Sequence, residues 1–295
     1  MKEVRNRFKD KLGIPLYKDN KAIELWLKGG EVSRSISENH YAICYALEMN
    51  WEETIEFFLK YFLLIPFNYK NRIDAIFYYC MINNKSYQEA KKIIAETENF
   101  TISDNFNQDS VEIGKQISDI HNDDEFINYL LSHCFSKEKQ YYLARKKINE
   151  IIDYHCEAKG YTIAELYSMI TGIHYQKEVS LSERKTELPS EFTKSFPTDR
   201  TFLDIKNGKK PESYDTIRKT LIILNLFDYY EGKDIESSNI KELWVDFTDS
   251  MDKSLVECGL SPLYPKNPFD RIILFCAATP DPLESFCKIC AMMRT

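Results

Sequence analysis

The side chains best suited to chemistry in this chain are its histidines and cysteines. Five His stand at 40, 121, 133, 155 and 174, and eight Cys at 44, 80, 134, 156, 258, 276, 287 and 290. His133-Cys134 and His155-Cys156 are pairs that a zinc site would draw on, because imidazole and thiolate are its usual ligands. Each pair lies in a stretch of helical period, where adjacent residues do not share a face. Cys287-x-x-Cys290 has the spacing of half a structural zinc site or of a redox pair. No second such pair accompanies it, and a redox pair belongs at a strand-to-helix junction. Other thiols sit in apolar patterns such as YAICYAL around Cys44 and AIFYYCMI around Cys80, and read as small buried hydrophobes. The chain holds no phosphate-binding glycine loop, no Gly-x-Gly-x-x-Gly and no Gly-x-Ser-x-Gly. Asp123, Asp124 and Glu125 read as a helix start on a solvated face. The expectation is a protein that is not an enzyme, with no catalytic residue, metal or cofactor.

The elements that would position these residues are helices. Nine Gly and ten Pro in 295 residues are few, as in helix-rich chains. Apolar residues recur at helical spacing almost throughout, and no segment alternates at period two. The spacing predicts helices from Arg5 to Leu12, Asn20 to Lys28, Ser37 to Leu47 and from Trp51 onward, the last behind the capping box Asn50-x-x-Glu53. Further helices are expected near 109–121, 124–135, 138–158 and 162–173, with a loop at 97–108 and a linker at 177–185. No apolar run reaches the roughly 18 residues of a membrane span, and MKEVRNRFKDKL lacks the apolar core of a signal peptide. The expected location is the cytoplasm, with no membrane partner.

One string occurs twice. Lys70-Asn71-x-x-Asp74-x-Ile76-x-x-x-Cys80 returns as Lys266-Asn267-x-x-Asp270-x-Ile272-x-x-x-Cys276, at an offset of 196. Without gaps, residues 59–94 and 255–290 share ten identities in 36 positions, where random pairing gives roughly two. Asn71 and Asn267 read as helix caps, Asp74 and Asp270 as first-turn acids, and Pro268 suits the first helical position. Upstream, Trp26-Leu27-Lys28-Gly29 parallels Ile205-Lys206-Asn207-Gly208, with Tyr230 to Asn239 as an insertion in the second copy. The chain therefore reads as all-α: a helical module at 1–96, an acidic helical connecting segment at 97–180, and a related module at 181–295.

The net charge of −7 argues against a general polyanion binder. The acidity is concentrated in the middle: residues 95–180 hold 8 basic and 15 acidic side chains, against 15 and 12 in residues 1–94. The most informative polar stretch is Thr198 to Gly208, TDRTFLDIKNG, followed by KKPESYDTIRK and LIIL. It resembles the recognition-helix region of Cro/λ-repressor-like helix-turn-helix regulators, with LPSEFTKS (Leu188 to Ser195) as the first helix of the pair. Asp19 to Gly29 followed by Ser33 to Leu47 looks similar in the first copy. The resemblance covers residues 15–62 and 184–230, under a third of the chain.

That resemblance implies a transcriptional regulator bound to double-stranded DNA, with a helix N-terminus in the major groove. It makes Asn20, Lys21 and Glu24, and Asp199, Arg200, Thr201 and Asp204, the base-edge candidates. Lys28, Arg34, Lys206, Lys209, Lys210, Arg218 and Lys219 become phosphate contacts. Against it stands the reading of Arg200, Lys209 and Lys210 as ordinary solvated charges, because acids interleave with these bases. The alternative is a helical adaptor or inhibitor that binds a protein partner. The aromatic stretches AIFYYC and LNLFDYY read as core, with surplus tyrosines available to line a groove for a peptide or partner helix.

Overall fold

The computed structural model describes residues 2–13, 21–28, 38–62, 64, 66–98, 110–133, 141–173, 188–209, 213–233, 235 and 239–294. Among these residues all regular structure is helical and no strand forms, so the chain is all-α as its periodicity requires. Its contacts divide it into two compact units, Met1–Gln140 and Tyr141–Thr295.

The first unit holds α1 (Lys2–Leu12), α2 (Lys21–Leu27), α3 (Glu38–Ala46) and α4 (Trp51–Phe57), which runs into a π-helical turn at Phe58–Phe62. Then come α5 (Arg72–Ile82), α6 (Tyr87–Glu96), α7 (Ser110–Asp119) and α8 (Asp123–His133). Asn50 and Ser86 cap α4 and α6 with reciprocal capping boxes, Glu53 and Glu89 bonding back to the cap N–H groups. Helix α5 is the centre of the unit: Asp74 through Met81 are all buried. It packs on α4, α6 and α7. At Gly114 of α7 there is no room for a side chain, because a Cβ would lie 2.6 Å from the Tyr69 ring.

The second unit holds α9 (Tyr142–Asp153), continued by a π-helical turn at Tyr154–Ala158, then α10 (Ile163–Thr171), the single turn α11 (Ser190–Thr193) and α12 (Asp199–Lys206). Helices α13 (Tyr214–Tyr230), α14 (Ile240–Glu257), α15 (Pro268–Ala277) and α16 (Pro282–Ala291) follow. Helix α13 is the central element, with Ile217 through Leu224 buried in one run. It packs on α9, α10, α14 and α16. The helices of the expected connecting segment are thus shared out: α7 and α8 fall in the first unit, α9 and α10 in the second.

The 196-residue offset reappears in the hydrogen bonds. Asn71 caps α5, and its N–H donates to Asn68 O at 2.7 Å; Asn267 caps α15, and its N–H donates to Tyr264 O at 2.8 Å. The acids at the paired position do more than sit in a first helical turn, since both are buried. Asn68 N–H donates to Asp74 at 3.3 Å, and Tyr264 N–H donates to Asp270 at 2.9 Å. The copies differ at the other carboxylate oxygen. Asp74 accepts from the Tyr41 hydroxyl at 3.0 Å, whereas Asp270 accepts from the Arg218 guanidinium. Cys80 and Cys276 are both fully buried.

Candidate functional site

Two of the cations expected to meet phosphates are inside the protein. Arg218 is buried; its guanidinium donates to both Asp270 oxygens, at 2.7 and 2.8 Å, and to the carbonyls of Ser261 and Pro262. Lys219 is also buried: its ammonium donates to the carbonyls of Phe192 and Lys194 and lies 5.0 Å from the Phe269 ring. Both sit one to two turns into a helix whose apolar period continues on either side. Tertiary packing therefore draws them inward, where Arg218 meets a carboxylate and two carbonyls, and Lys219 two carbonyls and a ring face. They are not phosphate contacts.

The other expected residues lie mostly on the surface with acids beside them. Thr198 caps α12, and Thr201 closes its capping box by accepting from Thr198 N–H. Arg200 has its side chain 85 % exposed and sits 3.6 Å from Asp204, one turn on. Lys206 pairs with Asp153 at 2.7 Å, and Lys28 with Glu24 at 2.9 Å. Asp199 is half-buried and Lys209 is exposed. Asn20, Arg34 and Lys210 lie outside the described residues, and Lys21 is described only in its backbone.

Five of the seven described thiols are spent on packing. Cys44, Cys80, Cys258, Cys276 and Cys290 are buried, and burial pushes the Cys44, Cys80 and Cys276 thiols up to about 12. A reactive cysteine needs the opposite, a stabilised thiolate. Among the described residues no three of His, Cys, Asp and Glu gather where they could hold a metal ion. His155, on the π-helical turn, is fully buried with Nε2 3.1 Å from Asp228 and Nδ1 3.5 Å from Glu231. Glu231 in turn pairs with Lys159. A groove of about 430 Å³, lined by Lys147, Glu150, Tyr154, Asn225 and Asp228, lies beside this cluster. The imidazole is shut off from solvent by its own unit, so what the groove meets is Asp228, which the histidine braces.

The feature that periodicity could not reveal is a difference between the repeats. Tyr79 on α5 is fully buried; its ring stacks on Phe126 of α8 with centroids 3.8 Å apart and planes at 7°. Its hydroxyl donates to Asp123, which also pairs with Lys85 at 3.1 Å. The connection into α8 completes the cover, since Asn83 donates to Ile120 O and bonds His121. The residue 196 positions on is Phe275 on α15, and it is 63 % exposed. Trp244, whose indole N–H donates to Leu274 O at 3.1 Å, is the half-exposed aromatic beside it. One turn before Phe275 stands Arg271, exposed, where the first copy has buried Ala75. A lone exposed apolar side chain is ordinary. Phe275 nevertheless stands 196 residues after a ring that its own unit seals by stacking.

No family model matches the chain, and neither a curated protein nor a solved structure matches it.

Proposed function

We propose that this protein is a helical adaptor or inhibitor that works by binding another protein, without chemistry of its own, and that α15 carries its docking face. The observation behind this reading is the pair Tyr79 and Phe275: equivalent by sequence offset, one stacked under Phe126 and the other 63 % exposed. An aromatic anchor with a cation and a half-exposed tryptophan close by has the composition of an interface centre, where Trp, Tyr, Phe and Arg are enriched. The internal ion pairs support the same reading, because Arg200, Lys206 and Lys28 each already have an acid beside them. Duplication of one ancestral helical module accounts for the shared string and its shared caps.

The test is a photo-crosslinking residue placed at position 275 of the full chain in its source cells. A discrete protein adduct, absent when the same residue is placed at exposed Lys209, is expected. The absence of any protein adduct at 275 would remove the basis for this reading.

DNA binding as a regulator is the second reading. It is favoured by Lys209, which is exposed, and by Arg200, whose side chain stays 85 % exposed although Asp204 stands 3.6 Å away. Its signature is binding that falls steeply with added salt.

A further inference from the structure

We infer that the partner of the Phe275 face is an acidic amphipathic helix that lays an aromatic ring on Phe275, with the acid on the Arg271 side. This rests on the docking reading above and gives it a chemistry. The chain itself supplies the pattern. In the first unit the equivalent ring, Tyr79, is covered by α8, whose first turn is Asp123-Asp124-Glu125 and whose fourth residue is Phe126. The ring stacks, and the first acid finds the local cation, Lys85.

Copy two keeps the ring and moves the cation. The counterpart of Lys85 is Asp281, which caps α16 by accepting from Glu284 N–H and so offers an incoming acid nothing. The counterpart of Ala75 is Arg271, exposed one turn before Phe275. A helix bound here must therefore set its negative charge on the N-terminal side of the ring, opposite to the cis arrangement. Helix α16 packs on α15 from another side, and α14 reaches it through Trp244, which leaves the Phe275 ring itself uncovered. Acids flanking an aromatic fit both requirements, hydrophobic area for the ring and an anion for Arg271.

The experiment uses the full chain and a labelled peptide with the sequence of residues 119–134, DIHNDDEFINYLLSHC, which reaches Arg271 with its acids when it lies on Phe275 in the direction opposite to that of α8 on Tyr79, followed by fluorescence anisotropy. Saturable binding is expected. It should weaken about tenfold or more in Phe275→Ala, the loss typical of a buried aromatic anchor. It should also weaken in Arg271→Glu, with partial recovery when the peptide's Asp123, Asp124 and Glu125 are changed to Lys. Unchanged binding in Phe275→Ala would mean that the peptide competes at Tyr79 instead, and would overturn the inference. Absence of binding to the native chain would overturn it too. The crosslink at position 275 separates the two levels. An adduct mapped to a basic or non-helical segment sinks the acidic-helix inference and leaves the docking face standing; no adduct sinks both.

Discussion

Arg218 and Asp270 meet inside the second unit as a closed fork, guanidinium nitrogens 2.7 and 2.8 Å from the two carboxylate oxygens, and neither side chain reaches solvent appreciably. Burial works against the guanidinium's charge, and the Asp270 carboxylate outweighs it, so the net shift in its pKa is upward. The remaining donors reach Ser261 O and Pro262 O, which ties α13 to the turn that leads into α15. The pair is therefore a clamp on the repeat motif, and breaking it from one side leaves a bare charge in the core. Arg218→Met should cost about 3–5 kcal/mol of unfolding free energy. Arg218→Met with Asp270→Leu should recover most of that loss. Urea melts of the three proteins decide the matter, and a double variant as unstable as the single one would contradict the clamp.

Asp74, at the same place in the first unit, has only neutral partners. Burial pushes its carboxyl up from 3.8 to about 7, against the opposing pull of the Tyr41 hydroxyl and the Asn68 N–H. The folded protein thus holds a proton that the unfolded chain releases between those two values. Stability from this group is fully present below pH 3.8 and is lost as pH rises to about 7, beyond which the loss is constant. The total is on the order of 4 kcal/mol, at about 1.4 kcal/mol per pKa unit. The difference in unfolding free energy between native protein and Asp74→Asn should therefore shrink or reverse from pH 4.5 to pH 8. A pH-independent difference would show that Asp74 stays charged in the fold.

Gly114 is a packing requirement of the first unit. A methyl group there would lie 2.6–2.9 Å from three atoms of the Tyr69 ring, well inside van der Waals contact. Gly114→Ala should destabilise by about 1–3 kcal/mol, the usual cost of overpacking, even though alanine is the better helix former. Adding Tyr69→Leu should relieve it. Thermal melts of the single and double variants check this. A more stable Gly114→Ala would mean that the ring swings away freely.

The repeat makes a matched pair of truncations possible. Tyr79→Ala removes a fully buried ring stacked on Phe126 and should cost about 3–5 kcal/mol. Phe275→Ala removes an equivalent ring that is 63 % exposed and should stay within about 1 kcal/mol of the native protein. Chemical denaturation of both gives the contrast directly. Equal losses would show that the Phe275 ring is covered in solution.

Binding to duplex DNA would depend on two exposed cations. Arg200→Ala with Lys209→Ala should lower any such affinity and reduce the salt slope by about two, one for each phosphate no longer neutralised. Mobility shifts across a salt series measure it. If no DNA shifts at low salt, protein docking is the reading that stands.

Much of this architecture was legible in the chain. Helical period, the capping boxes at Asn50 and Ser86, and the caps Asn71 and Asn267 are local features, governed by residues within one turn, so spacing alone reveals them. The doubled Lys-Asn-x-x-Asp string was legible for the same reason. What local spacing could not decide is which side of a helix the rest of the unit covers. Arg218 and Lys219 look like surface cations in a run of charged and polar residues, until carbonyls and a carboxylate from distant segments close around them. Asp74 and Asp270 look like one first-turn acid written twice, yet their long-range partners make one protonatable and clamp the other. Tyr79 and Phe275 share a register position, and nothing within either helix distinguishes their surroundings. Whether such a ring is core or surface depends on a second element arriving from elsewhere in the chain, as α8 does for Tyr79, and burial of that kind exists only once the fold has formed.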